Sequence, residues 1–250
     1  MMMKKLLLLL YLSSFALFAQ EINVAVAANV SYAIDELVTL FEKQHPETKV
    51  RVTLGSSGKL TAQITNGAPY DLFMSANISY PQALYDGNLT QRPPKTYAQG
   101  QLALFSAKAQ DFSIGLNLLQ NKKIKRIAVA NPKTAPYGKA TQELLENVHL
   151  YQEIKPKFIY GESIAQTISY TITATDLGII AASALYSKQM RTYKENVNWI
   201  VLDPTDYAPI KQGIVLLDTS DEAKAFYHFI LSKEAQEIFK RYGYLSLWTL

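Results

Sequence analysis

The stretch LGSSGKLT, residues 54–61, follows an extended VRVT run and precedes helix-like sequence. Small residues between a strand and a helix suit an anion. The free N–H groups of a helix's first turn, together with the positive end of its dipole, attract negative charge. Ser56 and Ser57 add hydroxyl donors. A nucleotide-binding P-loop, GxxxxGK[ST], is excluded, because Thr53 occupies the first glycine position and Leu60 follows Lys59. Taken alone, an ordinary N-cap is the better account of Ser57.

The stretch does not stand alone. AVAANVSYA places Asn29 between a buried strand and a helix. AVANPKTAPYGKA follows the strand-like Ile127–Ala130 and puts Tyr137 and Gly138 at a helix start. FIYGESIAQT puts Gly161, Ser163 and Ile164 at another. In open α/β sheets, ligands sit at the carboxyl ends of strands, where such junctions converge. Four backbone-rich corners from two halves of the chain could surround one small anion.

Catalytic chemistry finds less support. His45, His149 and His228 fall in helix-like segments outside these junctions, without a partner at metal-ligand spacing, and read as surface histidines. No GxSxG elbow is present. Asp71 and Asp176 border strands and read as structural, so no general base is evident. The absence of cysteine excludes disulfides, thiolate metal sites and cysteine nucleophiles.

The elements that must position these junctions alternate. Strand patterns at 22–28, 49–54, 70–76, 102–106, 126–131, 157–161, 176–183, 198–203 and 213–218 are interleaved with helix patterns at 31–46, 57–67, 139–148 and 162–173, and two helices close the chain at 221–231 and 233–242. In the first helix Ala33, Ile34, Leu37 and Phe41 share a face, and Pro46 lies beyond its end. Serial βαβ units predict an α/β fold with mostly parallel sheet. Residues 1–19, a basic start followed by LLLLLYLSSFALF and a small Ala19, read as a secretory signal peptide, with a retained anchor as the alternative. Removing Lys4 and Lys5 lowers the formal charge of +4 by two. No Lys/Arg run is interleaved with aromatics, so nucleic acid is not expected as a partner.

INVAVAANVSYAIDEL, GSSGKLTAQITNGAPYDLFMSA, ANPKTAPYGKA and AKAFYHFILSKEAQEIFKRYGY together resemble the periplasmic molybdate-binding proteins of ABC importers, the ModA family, over essentially the whole mature chain. NGAPYDLFMSA and IFKRYGY are the most specific matches. The resemblance implies a type II periplasmic binding-protein fold in which two α/β lobes close on a tetrahedral oxyanion. Residues 20–100 and 213–250 would form lobe 1, and residues 101–212 lobe 2. The family's contact positions correspond to Asn29, Ser57, Tyr137 and, through its backbone, Ile164, with Ser56 beside Ser57. Some members add a tyrosine near the end of the next strand; here that position is Ala181, a departure, and Tyr137 could supply the missing phenol. Lys59 is expected to face solvent and Glu162 to point away from the anion. The resemblance further implies a monomer that is not an enzyme, has no cofactor, and carries molybdate or tungstate to an inner-membrane permease. A sulfate- or phosphate-type binding protein, or an exported enzyme using the same pocket, remains the alternative.

Overall fold

The computed structural model describes residues 20–245; the segment read as a signal peptide lies outside them. QEINVAVA forms β1 (Gln20–Ala27), in which Val24, Ala25 and Val26 are inaccessible to solvent. Burial of successive residues, which face opposite sides, marks a central strand covered on both faces. β2 (Thr48–Gly55) alternates half-buried and exposed positions and lies at a sheet edge. The other strands are β3 (Leu72–Ser75), β4 (Lys95–Gly100), β5 (Leu102–Phe105), β6 (Ile127–Ala130), β7 (Phe158–Gly161), β8 (Leu177–Ala181), β9 (Trp199–Val201) and β10 (Ile210–Leu216).

Two five-stranded sheets result, with orders β2-β1-β3-β10-β4 and β7-β6-β8-β5-β9. They share one plan. In each, a central strand pairs in parallel with two neighbours, and the remaining pairings are antiparallel. The two-lobe α/β architecture is therefore present, but its sheets are mixed rather than mostly parallel. The antiparallel character enters through β10 and β5, the strands by which the chain arrives from the opposite sheet. The chain crosses once at Gln101, between β4 and β5, and returns between β9 and β10. The returning strand begins at Ile210, so its first residues precede the boundary at 213 drawn from the sequence.

The helices are α1 (Ile34–Gln44), α2 (Ser57–Thr65), α3 (Ser79–Asp86), α4 (Pro136–Asn147), α5 (Tyr151–Ile154), α6 (Ile164–Thr173), α7 (Asp221–Ile230) and α8 (Lys233–Arg241). In α1 the expected face is buried through Ile34, Leu37 and Phe41. Phe41 meets Phe226 of α7 edge-on at 4.9 Å. Ser220 and Ser232 cap α7 and α8 by accepting hydrogen bonds from the N–H groups of Ala223 and Ala235. The helix α3, the strand β4, the short α5 and a 3-10 stretch at Phe112–Gln120 were not anticipated. β4 reads KTYAQG, with little apolar alternation, and Tyr97 and Ala98 are buried by the fold around them.

Candidate anion-binding site

β1 and β2 run in parallel side by side, as do β6 and β7 in the other sheet, so the carboxyl ends of each pair lie together. Each of these four ends leads to a junction singled out above. β1 passes into a 3-10 turn, Ala28–Val30, that carries Asn29. β2 passes through Ser56 into α2, β6 through a short loop into α4, and β7 through Ser163 into α6. Asn29, Ser56, Ser57, Tyr137 and Ile164 line one small cavity with Ala27, Ala28, Gly55, Ala76, Ala135 and Pro136; its volume is about 10 Å³. None of these lining residues is ionisable near neutral pH.

The local hydrogen bonds explain what the junctions can offer. Ser56 holds the N-cap position of α2, yet its side chain makes no capping bond. Ser57 is fully buried at the first helical position, and its hydroxyl oxygen accepts from the Ala76 N–H at 3.0 Å. With its oxygen occupied by a donor, the Ser57 hydroxyl can turn its own proton elsewhere. In α6 the Ser163 hydroxyl caps Gln166, and Ile164 follows at the start of the helix. Pro136 opens α4, where its missing N–H costs nothing, and Tyr137 follows. Gly138 is required there: a Cβ would overlap the Ala130 carbonyl oxygen and lie 2.7 Å from its carbon.

The helices α2, α4 and α6, whose first residues reach the cavity, carry no acidic side chain in their first turns. Of the longer helices that start elsewhere, α1, α7 and α8 carry Asp35 and Glu36, Asp221 and Glu222, and Glu234 respectively, while α3 carries none. An acid in the first turn neutralises the positive end of the helix dipole. The three helices at the cavity leave that end to whatever occupies it.

Ala181 behaves differently from the other expected site residues. It is fully buried in β8 opposite Leu102 and does not line the cavity. The end of this strand contributes Ser183 instead, whose hydroxyl donates to the Asn29 carbonyl at 3.1 Å. The Tyr137 phenol is buried. It lies against Gly100 and accepts from Gln212 Nε2 at 3.2 Å, and Gln212 is not a lining residue. Lys59 and Glu162 are exposed and outside the lining.

Behind Asn29 lies a buried polar cluster that sequence reasoning missed. Asn29 Nδ2 donates to Gln212 Oε1 at 2.9 Å and to the Tyr244 hydroxyl at 3.0 Å. The Tyr97 hydroxyl donates to Gln212 Oε1 at 2.8 Å. Burial pushes the hydroxyls of Tyr97 and Tyr137 well above the usual phenol range and that of Tyr244 up to about 12. Gln212 is fully buried within the strand IKQGIVL, which its sequence neighbours do not reveal.

Elsewhere the chemistry is structural. Asp71 accepts from the Asn23 N–H at 2.6 Å. Burial opposes ionisation of Asp176, but the N–H groups of Arg126 and Lys125 hold its carboxyl below the ordinary range. Among the described residues, no three His, Asp or Glu side chains gather as a metal site would need. A wider surface groove of about 1000 Å³ runs past Tyr80, Lys139, Glu143 and Tyr160. It is open to solvent and lined by charges of both signs, so a small anion there keeps its water.

The model of the family described as bacterial extracellular solute-binding protein matches residues 22–245. The molybdate-binding protein ModA of Rhodobacter capsulatus is 36% identical over 91% of this chain and 89% of its own length. That of Azotobacter vinelandii is 35% identical over 90% of each chain. The solved structure of the Azotobacter vinelandii periplasmic molybdate-binding protein superimposes with a TM-score of 0.82 at 30% identity, covering 90% of this chain and 98% of that one. With family model, relatives and fold in agreement over nearly all of its described length, the chain is a bacterial extracellular solute-binding protein of the ModA family, a binding protein and not an enzyme.

Proposed function

We propose that this protein captures molybdate, and tungstate with it, in the periplasm and delivers the anion to the permease of an ABC importer. The observation that carries the reading is the neutral cavity at three helix starts without first-turn acids. Asn29, Ser56, Ser57, Tyr137 and Ile164 are the ligand-binding residues in this reading. Tyr137 and Ile164 act through main-chain N–H groups at the starts of α4 and α6, and Ser56 and Ser57 add hydroxyls. The names of the relatives at 35–36% identity supply the cargo. Export by the leader at residues 1–19 and function as a monomer belong to the same proposal.

Donor-only lining gives the selectivity. Molybdate is a dianion whose four oxygens are all acceptors, and hydrogen bonds to a charged group are roughly twice as strong as neutral ones. A protonated phosphate would set an O–H against an N–H. Sulfate carries no proton, and its smaller tetrahedron leaves donors unpaired in a closed cavity, which costs more than a lost contact. Tungstate nearly matches molybdate in size and charge. Binding draws the lobes together about the two crossings.

Competition calorimetry on the mature protein with molybdate, tungstate, sulfate and phosphate tests this. Molybdate and tungstate should bind far more tightly than the other two. Equal or tighter binding of sulfate or phosphate would overturn the assignment, and turnover of a phosphate or sulfate ester would favour an enzyme.

A further inference from the structure

The cluster behind Asn29 has a property beyond holding that residue in place. The Asn29 amide is almost completely buried, with its Nδ2 turned toward Gln212 and Tyr244, neither of which lines the cavity. The other end of the amide, Oδ1, is buried without a hydrogen-bond partner. An unpaired acceptor beside a cavity suited to an anion opposes binding there.

The same heavy atoms support a second proton order. If the Asn29 and Gln212 amides both exchange N for O, Gln212 Nε2 donates to Asn29 Oδ1 across the same 2.9 Å. It also donates to the Tyr97 hydroxyl, whose own proton turns to the Ser75 carbonyl at 3.4 Å, a contact already in place. Tyr137 then donates to Gln212 Oε1, reversing the existing 3.2 Å bond. Tyr244, which now donates to the Asn29 carbonyl at 2.9 Å, can turn to Oδ1, because Ser183 continues to serve that carbonyl. Every pair keeps a donor and an acceptor, the orphaned oxygen is satisfied, and an Asn29 N–H is presented where Oδ1 had been.

We infer that Gln212 is a positioning residue which, through this reversible chain of amides and phenols, sets the direction of the Asn29 amide, and that an oxyanion selects the order in which Asn29 donates. The inference rests on the anion-binding reading above. It ties the ligand to β10, the strand on which the chain returns to the first sheet, so capture of the anion and the proton order at the crossing form one equilibrium. Gln212 is not a lining residue and bonds two that are, Asn29 and Tyr137, so a substitution at 212 reaches the anion through them.

Side-chain amide NMR on the unmodified mature protein tests it, with and without molybdate. Without molybdate, nuclear Overhauser contacts should run from the Gln212 amide protons to the Tyr137 ring. With molybdate they should move to the Tyr97 ring, while the Asn29 amide signals shift. As a second measurement, Gln212→Met should weaken molybdate binding by about tenfold, and the molybdate-induced shift of the Asn29 amide should shrink. An unchanged Gln212 contact pattern on binding, or a folded Gln212→Met protein with unchanged affinity, would overturn the inference while leaving the anion reading intact. If Gln212→Met does not fold, the NMR result alone decides. Failure of the unmodified protein to bind molybdate would instead sink the reading on which the inference rests.

Discussion

The main-chain N–H of Ala76, just past the end of β3, donates to the hydroxyl oxygen of Ser57, at the start of α2, over 3.0 Å. This bond uses the oxygen as an acceptor and leaves the hydroxyl proton to be aimed by whatever occupies the cavity. Replacing Ser57 with alanine removes a donor from the anion and a partner from Ala76 together. The expected loss of molybdate affinity is about 1–3 kcal/mol, roughly five- to 150-fold. Isothermal calorimetry on Ser57→Ala measures it, and an unchanged affinity would show that Ser57 does not contact the ligand.

Gly58 joins the two lobes directly. Its N–H donates to the Thr134 carbonyl at 3.0 Å, and a Cβ at this position would lie 3.1 Å from that oxygen and 3.2 Å from the Thr134 Cα. A methyl group here is tight rather than impossible, and only where the lobes meet. Gly58→Ala should leave the unfolding transition nearly unchanged, since alanine is the better helix former. Release of the anion should quicken by several-fold. Stopped-flow displacement of bound molybdate would detect it; a release rate equal to that of the unmodified protein would mean this contact does not hold the lobes closed.

Gly138 presents the harder case. Its missing side chain lets α4 start against the end of β6, where a Cβ would overlap backbone atoms of Ala130. Backbone cannot swing aside as a side chain can, so Gly138→Ala must move the helix start that carries Tyr137. Both thermal stability and molybdate affinity should fall, the former by about 1–3 kcal/mol, the usual cost of overpacking. Chemical denaturation and calorimetry report the two separately. Loss of neither would mean that α4 shifts without consequence for the cavity.

Three buried phenols make the protein sensitive to alkali. The Tyr97, Tyr137 and Tyr244 hydroxyls are held protonated by burial, Tyr244 up to about pH 12 against an ordinary value of 10.0. In the unfolded chain they ionise near that ordinary value, so above it the unfolded state binds fewer protons than the native one. Their contribution is therefore intact below pH 10 and is lost as the pH climbs toward the folded values. Denaturant midpoints should hold steady up to about pH 9 and drop steeply above pH 10, with phenolate absorbance at 295 nm lagging until unfolding. A smooth titration of all tyrosines near pH 10 in the folded protein would contradict this.

The sequence was most legible where structure is set locally. VAVA in β1 and the Ile34, Leu37 and Phe41 stripe of α1 declare their partners by spacing alone. The four strand-to-helix junctions were visible for the same reason: Asn29, Ser56 and Ser57, Tyr137 and Ile164 each sit where a strand pattern gives way to a helix pattern. Elements set by remote packing were not legible. β4 is a strand because β10 pairs with it, and KTYAQG shows little of that. Gln212 and Tyr244 meet Asn29 from 183 and 215 residues away, and nothing in their neighbourhoods marks them as its partners. Ala181 ends β8, and the chain must run two residues further before Ser183 reaches Asn29.

The missing acids at the starts of α2, α4 and α6 carry a consequence for the life of the protein. Where α1, α7 and α8 hold their own carboxylates in their first turns, these three hold none, and under the proposed function the anion supplies the compensating charge. Under that reading the oxyanion would be a removable piece of the fold, and melting temperature a gauge of supply: at a hundredfold excess over the dissociation constant, stability should rise by about 2.7 kcal/mol. Under the proposed function, protein held in molybdenum-poor surroundings would be easier to unfold and degrade than protein well supplied with the anion.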